Sequence, residues 1–349
     1  MESTERLRAW TYRRLCLDER AETLESALKA VIAVYATHPT SPLALWARSV
    51  AFTPARYRRI DRSGKGLRIP AMRRTVFLVP RKSSARIFSA VRASPAHALR
   101  PLKRHGFSSK DYEGYAERVL VAAEEPSSTH ELEDAAGLKG AQLGTILRCL
   151  RYEGRLVTLA GDSLNMSPHR YVAVSSWVSE GLDSDEEKAR SWLAGEYLRA
   201  YGPARVEDFA WWTGLPKGAA RKALSSHETT DTGDGLLLRV RDDEAFSKVK
   251  PLKNRIALLP RWDAYTMGHA PDGRERFVNP DVQADVYTPI GTGLPGDGNP
   301  VVLVDGEVAA LWTFSQKDGA TLHPLDTLGA GTKRRLETKL QEVADLLAG

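Results

Sequence analysis

The sequence predicts an α+β fold: three tandem winged helix-turn-helix modules followed by a small C-terminal β domain with a closing helix. Three observations carry this expectation. A supersecondary pattern recurs along the first 250 residues, the character of the chain changes after that point, and positive charge is concentrated in the first third. At 349 residues the chain is long enough for several domains of ~100–200 residues. The expected boundaries are 1–110, 111–182, 183–250 and 251–349.

The pattern is clearest between Ser127 and Val174. Ser128 or Thr129 can cap a short helix over ELEDAAGL, with Glu131 and Glu133 near its positive end. Gly137 breaks it. A second helix, AQLGTILRCLRYEGR, carries Leu143, Ile146, Leu147 and Leu150 on one face, and Gly154 ends it. Two β-prone runs, LVTLAG and RYVAV, then form a wing. The pattern returns from Gly202 to Val240: VEDFAWWTG is the first helix, Gly214 the break, and PKGAARKAL the second helix, with Pro216 suited to its first position. The wing is ETTDTGDGLLLRV. A weaker copy opens the chain, where a helix over TLESALKAVIAVYA precedes PARYRRI and a basic hairpin, GLRIPAMRRTVFLVP. After residue 250, RIALLPRW, ADVYTPI, NPVVLVDGEVAALWTF and ATLHPL read as short strands, with Asp-Gly as a hairpin turn. The last helix places Leu336, Leu340, Val343 and Leu347 on one face.

The net charge of +6 hides a polarity. Residues 1–110 hold 23 Lys and Arg against 7 Asp and Glu, while the remainder holds 27 against 37. Between Arg48 and Lys110 there are 17 basic side chains and one acid, Asp61. Charge concentrated in this way favours a polyanion, because each neutralised phosphate releases counterions. Arg outnumbers Lys, and its planar fork suits phosphates and base edges. No apolar run approaches the ~18–20 residues of a membrane span. The N-terminus lacks a basic-then-apolar signal layout, so a cytoplasmic protein is expected. Cys16 and Cys149 are too few for a disulfide scaffold or a structural zinc site. The Gly-rich GTGLPGDG (291–298) lacks the Lys-Ser/Thr pair and helix of a phosphate-cradling loop.

Five stretches, in order, resemble the AlkZ-type winged-helix DNA glycosylases: YATHPTSPLALWAR (35–48), MRRTVFLVP (72–80), GPARVEDFAWWTGLP (202–216), LLPRWDAYTMGHAPDGR (258–274) and VVLVDGEVAALW (301–312). The resemblance covers nearly the whole chain and implies the three winged helices and the β domain. It also implies hydrolysis of the N-glycosidic bond of bulky alkylated purines, such as N7-alkylguanine adducts, in double-stranded DNA. No metal or cofactor is implied, and a monomer without membrane contact is expected. The family places two polar residues, Gln-x-Gln or Gln-x-Asp, just before the Pro-containing turn; here those positions are Tyr35 and Thr37, followed by His38.

Alkylation at N7 makes the purine cationic, so it departs neutral and needs no strong acid. The site must hold the adduct, stabilise an oxocarbenium-like sugar and position a water. Thr37 and His38 are expected to orient that water, His38 as a modest general base because an ordinary imidazole titrates near 7. Tyr35 is expected to border the sugar or adduct. The alternative for Thr-His-Pro is a plain helix C-terminal turn. Arg56, Arg58, Arg59, Arg62, Lys65 and Arg68 are expected on phosphates. Arg73 and Arg74 lie close to the catalytic turn, and the resemblance would put Gly at Arg74. Arg48 is read either as a DNA contact or as an ion-pair partner. Asp263 is the supporting acid, structural or DNA-facing, and the best carboxylate should His38 be idle. His269, Arg274 and Arg276 lie on a turn-rich loop suited to probing a groove. Trp46, Trp211 and Trp212 are expected in the core. The rival function is a non-enzymatic winged-helix DNA-binding protein, a regulator or an adduct-binding shield.

Overall fold

The computed structural model describes residues 3–161, 164, 169–288 and 298–348; the Gly-rich 291–297 lies outside the described residues. A leading helix, α1 (Ser3–Arg14), precedes three units of one topology. The first comprises α2 (Leu24–Ala30), β1 (Val34–Tyr35), α3 (Leu43–Trp46), α4 (Pro54–Arg59), β2 (Gly66–Pro70) and β3 (Val76–Pro80). Two helices, α5 (Ser84–Val91) and α6 (Pro95–Ala98), lead to the second. It comprises α7 (Ser109–Ala122), β4 (Ser127–Ser128), α8 (Thr129–Ala136), α9 (Gly140–Tyr152), β5 (Leu156–Leu159) and β6 (Arg170–Ala173). After α10 (Val174–Trp177) the third runs through α11 (Glu186–Tyr201), α12 (Val206–Thr213), α13 (Lys217–Leu224), β7 (Thr229–Asp231) and β8 (Leu237–Arg239). In each unit the segment after the first helix pairs antiparallel with the last strand: β1 with β3, β4 with β6, and Ala204 with Leu237 of β8.

Local chemistry explains the boundaries. Ser128 and Glu131 form a reciprocal capping box at the start of α8, and Gly137 ends it in the left-handed region. Gly214 does the same for α12. Pro216 caps α13 from just outside instead of occupying its first turn. The helix expected over 23–36 stops at Ala30. Ile32 takes φ +68°, and Val34–Tyr35 continues as an edge strand against Phe77–Leu78, because this β-branched run fits a sheet better than a helix.

The remaining elements are α14 (Asp243–Ser247), β9 (Ile256–Leu259), α15 (Ala264–Met267), α16 (Gln283–Tyr287), β10 (Val301–Val304), β11 (Glu307–Ser315), β12 (Gly319–Pro324) and α17 (Ala330–Ala348). ADVYTPI was expected as a strand, but its described part is helical in α16, where Val286 and Tyr287 are buried. The β domain is one sheet ordered β12-β11-β10-β9, with Asp305 and Gly306 both at positive φ in its tight turn. The apolar face of α17 covers it through Leu336, Leu340, Val343 and Leu347. Leu43 of α3 belongs to that same cluster, so the turn before α3 lies where the first unit meets the β domain.

The wings of the first two units join into one six-stranded sheet, ordered β1-β3-β2-β5-β6-β4. Their seam is a single pairing of Arg68 with Thr158. Buried Asp61 pins it, accepting from Arg68 Nε and the Ala160 amide, each at 2.8 Å.

Candidate active site

The chain leaves β1 at Ala36, whose amide donates to Val76, and turns through Thr37–Thr40 into α3. Thr37 is exposed, and its hydroxyl has no partner among the described residues. His38 is half-buried. Its Nδ1 accepts from the Thr40 amide at 3.2 Å and lies 2.8 Å from Thr40 Oγ1, which itself accepts from the Arg261 amide at 3.3 Å. These bonds assign the lone pair to Nδ1 and the neutral ring's hydrogen to Nε2. Burial, with Arg261 adding to it, pushes the imidazole down to about 4. His38 is therefore neutral at pH 7, with its Nδ1 lone pair engaged by the Thr40 amide and a donor left at Nε2.

Tyr35 packs edge-on to Phe77 (5.5 Å between ring centres) and against Trp262 at 4.4 Å; His38 meets Trp262 edge-on at 5.4 Å. Trp262 holds φ +57°, a conformation a bulky side chain adopts only when its surroundings impose it. Beneath these rings Tyr35, Ser41, Arg48, Arg73, Trp262 and Asp263 border a cleft of about 20 Å³. That is room for one water. Ser41 braces the turn, its hydroxyl accepting from the His38 amide at 3.3 Å.

Asp263 is buried under this cleft and fully engaged. Its carboxylate takes both forks of Arg48, at 2.8 and 2.6 Å, and the Tyr265 amide at 2.9 Å, capping α15. Both members of the pair are 0% exposed. Arg48 is thus an ion-pair partner, and Asp263 supports the floor of the site without facing DNA.

Arg73 and Arg74 form the tip of the β2–β3 hairpin, both left-handed at φ +50° and +62°. The positive φ at Arg74 is the position where the resemblance expects Gly. The Arg73 guanidinium lies 4.0 Å from the centre of the Trp211 ring, and Gly214 lets the α12–α13 turn approach the Arg73 backbone. Arg74 is exposed and reaches His97 Nε2 at 2.7 Å. Trp212 is core as expected; Trp46 and Trp211 are only partly buried.

The basic residues divide sharply. Arg56, Arg59, Arg62 and Lys65 are exposed and Arg58 is half-buried, so this part of the first unit remains a charged surface. Arg68 does not belong to it. It is buried on β2 and paired with Asp61, because the joined sheet covers it. Arg274 and Arg276 are also removed from the DNA-facing set. Their loop folds inward as a 3₁₀ turn (Pro271–Arg276), stacking Arg274 over Tyr287 at 3.8 Å and pairing Arg276 with Asp208 at 2.8 Å. Buried His269 stacks on Phe277 and donates to the Tyr201 carbonyl at 3.1 Å. Trp262, Arg261 and Ser41 are the site residues sequence reasoning missed, although LLPRWDAY and THPTSP contain all three.

Among the described residues no group of three or more His, Cys, Asp or Glu stands where it could hold a metal ion. Nor is any described helix long and apolar enough to cross a membrane.

Residues 28–346 match the AlkZ-like family model, described as DNA glycosylase AlkZ-like. No curated protein matches the sequence. Among solved structures, the Streptomyces sahachiroi DNA glycosylase AlkZ superposes with a TM-score of 0.79 at 20% identity, over 99% of this chain and 97% of that one. At that identity the likeness shows a shared fold. The family match spans nearly the whole chain: the protein belongs to the AlkZ-like DNA glycosylase family.

Proposed function

We propose that the protein is a monofunctional glycosylase that hydrolyses the N-glycosidic bond of bulky N7-alkylguanine or related alkylpurine adducts in duplex DNA, in a repair or self-resistance role. In this reading the three repeated units are winged helices over 1–110, 111–182 and 183–250, followed by the β domain over 251–349, in a monomer.

One observation carries the choice of substrate: among the described residues the site has no acid or base free of a partner. Its carboxylate is bonded to Arg48, and the Nδ1 lone pair of its imidazole is taken up by the Thr40 amide. Such a site suits a leaving group that already bears positive charge and departs neutral. Thr37 accepts a hydrogen bond from the attacking water, His38 donates from Nε2 to hold water or backbone in place, and Tyr35 with Trp262 borders the sugar and adduct. Tyr35 and Trp262 border the one-water space beneath the rings.

The test is excision from duplexes carrying a bulky N7-alkylguanine or N7-methylguanine, scored as alkali-labile sites. Thr37→Ala/His38→Ala is expected to lose about 100-fold or more in rate with duplex affinity intact. Unchanged turnover would overturn the assignment, and strand breaks before alkali would overturn the monofunctional reading. No release from either duplex, with binding retained, would leave the non-enzymatic binder.

A further inference from the structure

The first unit carries another concave surface, away from the turn at Thr37. Lys29 on α2, Lys65 before β2, Arg81 and Lys82 after β3, and Arg86 on α5 surround an open cleft of about 580 Å³ that is walled by Trp192 of α11. Among the described residues two carboxylates line it, and both are engaged: Glu25 with Lys65 at 2.5 Å and Glu196 with Arg199 at 2.9 Å. Arg81 reaches Glu180 at 3.6 Å. Lys29 and Lys82 are exposed and have no carboxylate partner among the described residues. Arg86 lies over the Trp192 indole, its guanidinium 4.4 Å from the ring centre. The cleft adjoins the surface formed by Arg56, Arg59 and Arg62, because Lys65 borders both and Arg56 acts on Glu25.

We propose that this cleft binds a single-stranded segment of nucleic acid. Phosphates lie between Lys29, Lys65 and Lys82, and a base stacks on Arg86, whose guanidinium the indole holds in place. Three features point to a strand. The cleft has an excess of cations that its own carboxylates do not neutralise. It is concave, and at about 580 Å³ it cannot enclose a duplex. A guanidinium braced on an aromatic ring gives a sequence-tolerant platform of the kind used for unpaired bases. No residue of the cleft belongs to the site around Tyr35 and His38, so strand binding stands or falls independently of the glycosylase reading.

The test uses the full chain and a fluorescein-labelled dT12, with binding followed by anisotropy across a salt titration. Lys29→Ala/Lys82→Ala is expected to weaken dT12 binding at least tenfold and to reduce the salt slope by about 1.4, the value for two single-strand phosphates. Trp192→Ala is expected to weaken it at least fivefold and Trp192→Phe to restore most of it. Affinity for a 12-base-pair duplex should stay within twofold in the lysine variant. Unchanged dT12 binding in that variant, a parallel loss of duplex binding, or equal displacement of dT12 by an oligoglutamate peptide of matched length would each overturn the proposal.

Discussion

Two turns in this protein look alike as sequence and behave in opposite ways. Thr37-His38-Pro39-Thr40 and His269-Ala270-Pro271-Asp272 are both polar, both place a histidine beside a proline or one residue from it, and both were candidates for contact with DNA. Burial pushes both histidines down to about 4, with Arg261 as the second cause at His38. Yet the second turn closes on itself. His269 donates to a carbonyl, and Asp208 takes Arg205, Arg276 and the Ala270 amide. Burial alone would raise the Asp208 carboxyl, but His269, Arg205 and Arg276 reverse that and hold it far below the usual carboxylate range. The first turn leaves the Thr37 hydroxyl exposed and without a partner among the described residues. Polarity in a loop therefore says little about function until its partners are counted. The open turn is the candidate site, and the closed one is a clasp between the third unit and the β domain.

The hardest test of this contrast is Asp263, which lies under the open turn yet is satisfied like the closed one. Asp263→Ala should cost about 3–5 kcal/mol of stability, because it leaves Arg48 charged and alone in the core. A variant with full stability and no excision would instead make Asp263 part of the chemistry.

The histidines give the next test. Because each is held below its ordinary value of 6.5, the unfolded chain takes up protons first as pH falls. Their contribution is thus complete above pH 6.5 and declines as pH drops toward 4. His269 alone accounts for on the order of 3 kcal/mol. Urea unfolding at pH 7.5 and 4.5 should show the decline, and His269→Gln should remove most of it. For His38 the consequence is kinetic: kcat/KM for excision should be flat from pH 5.5 to 8, and an inflection near 6.5 would restore it as a base.

Smaller effects probe the contacts between regions. Trp211→Ala removes the ring that both Arg73, at the border of the cleft, and Arg274 lie over, and should lower kcat/KM about fivefold, the scale of a cation–π contact; Trp211→Phe should recover most of it with no change in melting temperature. At the charged surface, Arg56→Ala/Arg59→Ala should reduce the salt slope of duplex binding by about 1.8. Arg68→Ala should leave that slope alone and lower stability, since its partner Asp61 is buried.

Much of this architecture was legible because it is set by local chemistry. The caps at Ser128 and Gly137, the break at Gly214, the Asp305-Gly306 turn and the apolar stripe of α17 are decided within a few residues of themselves. The edge strand at Val34–Tyr35 was hidden, because an apolar run serves a helix or a strand equally until Phe77 and Leu78 supply the neighbour. The fate of each arginine was hidden for the same reason: Arg68 and Arg59 differ only in whether a distant element covers them. At the site, Tyr35, Thr37 and His38 were visible in sequence. The strained Trp262 against Tyr35 and His38 and the engagement of Asp263 by Arg48 depend on residues distant in sequence, 215 positions apart in the case of Asp263.

The seam between the first two wings carries a consequence for how DNA is met. A sheet continuous from β1 to β4, locked at Arg68 and Thr158 by a buried carboxylate, cannot flex there without stripping Asp61 of its partners. The first two units then move as one stiff plank. On the proposed reading, a duplex laid across both units would meet a continuous surface at this seam, so the bending would fall on the DNA, at a cost set by its own deformability.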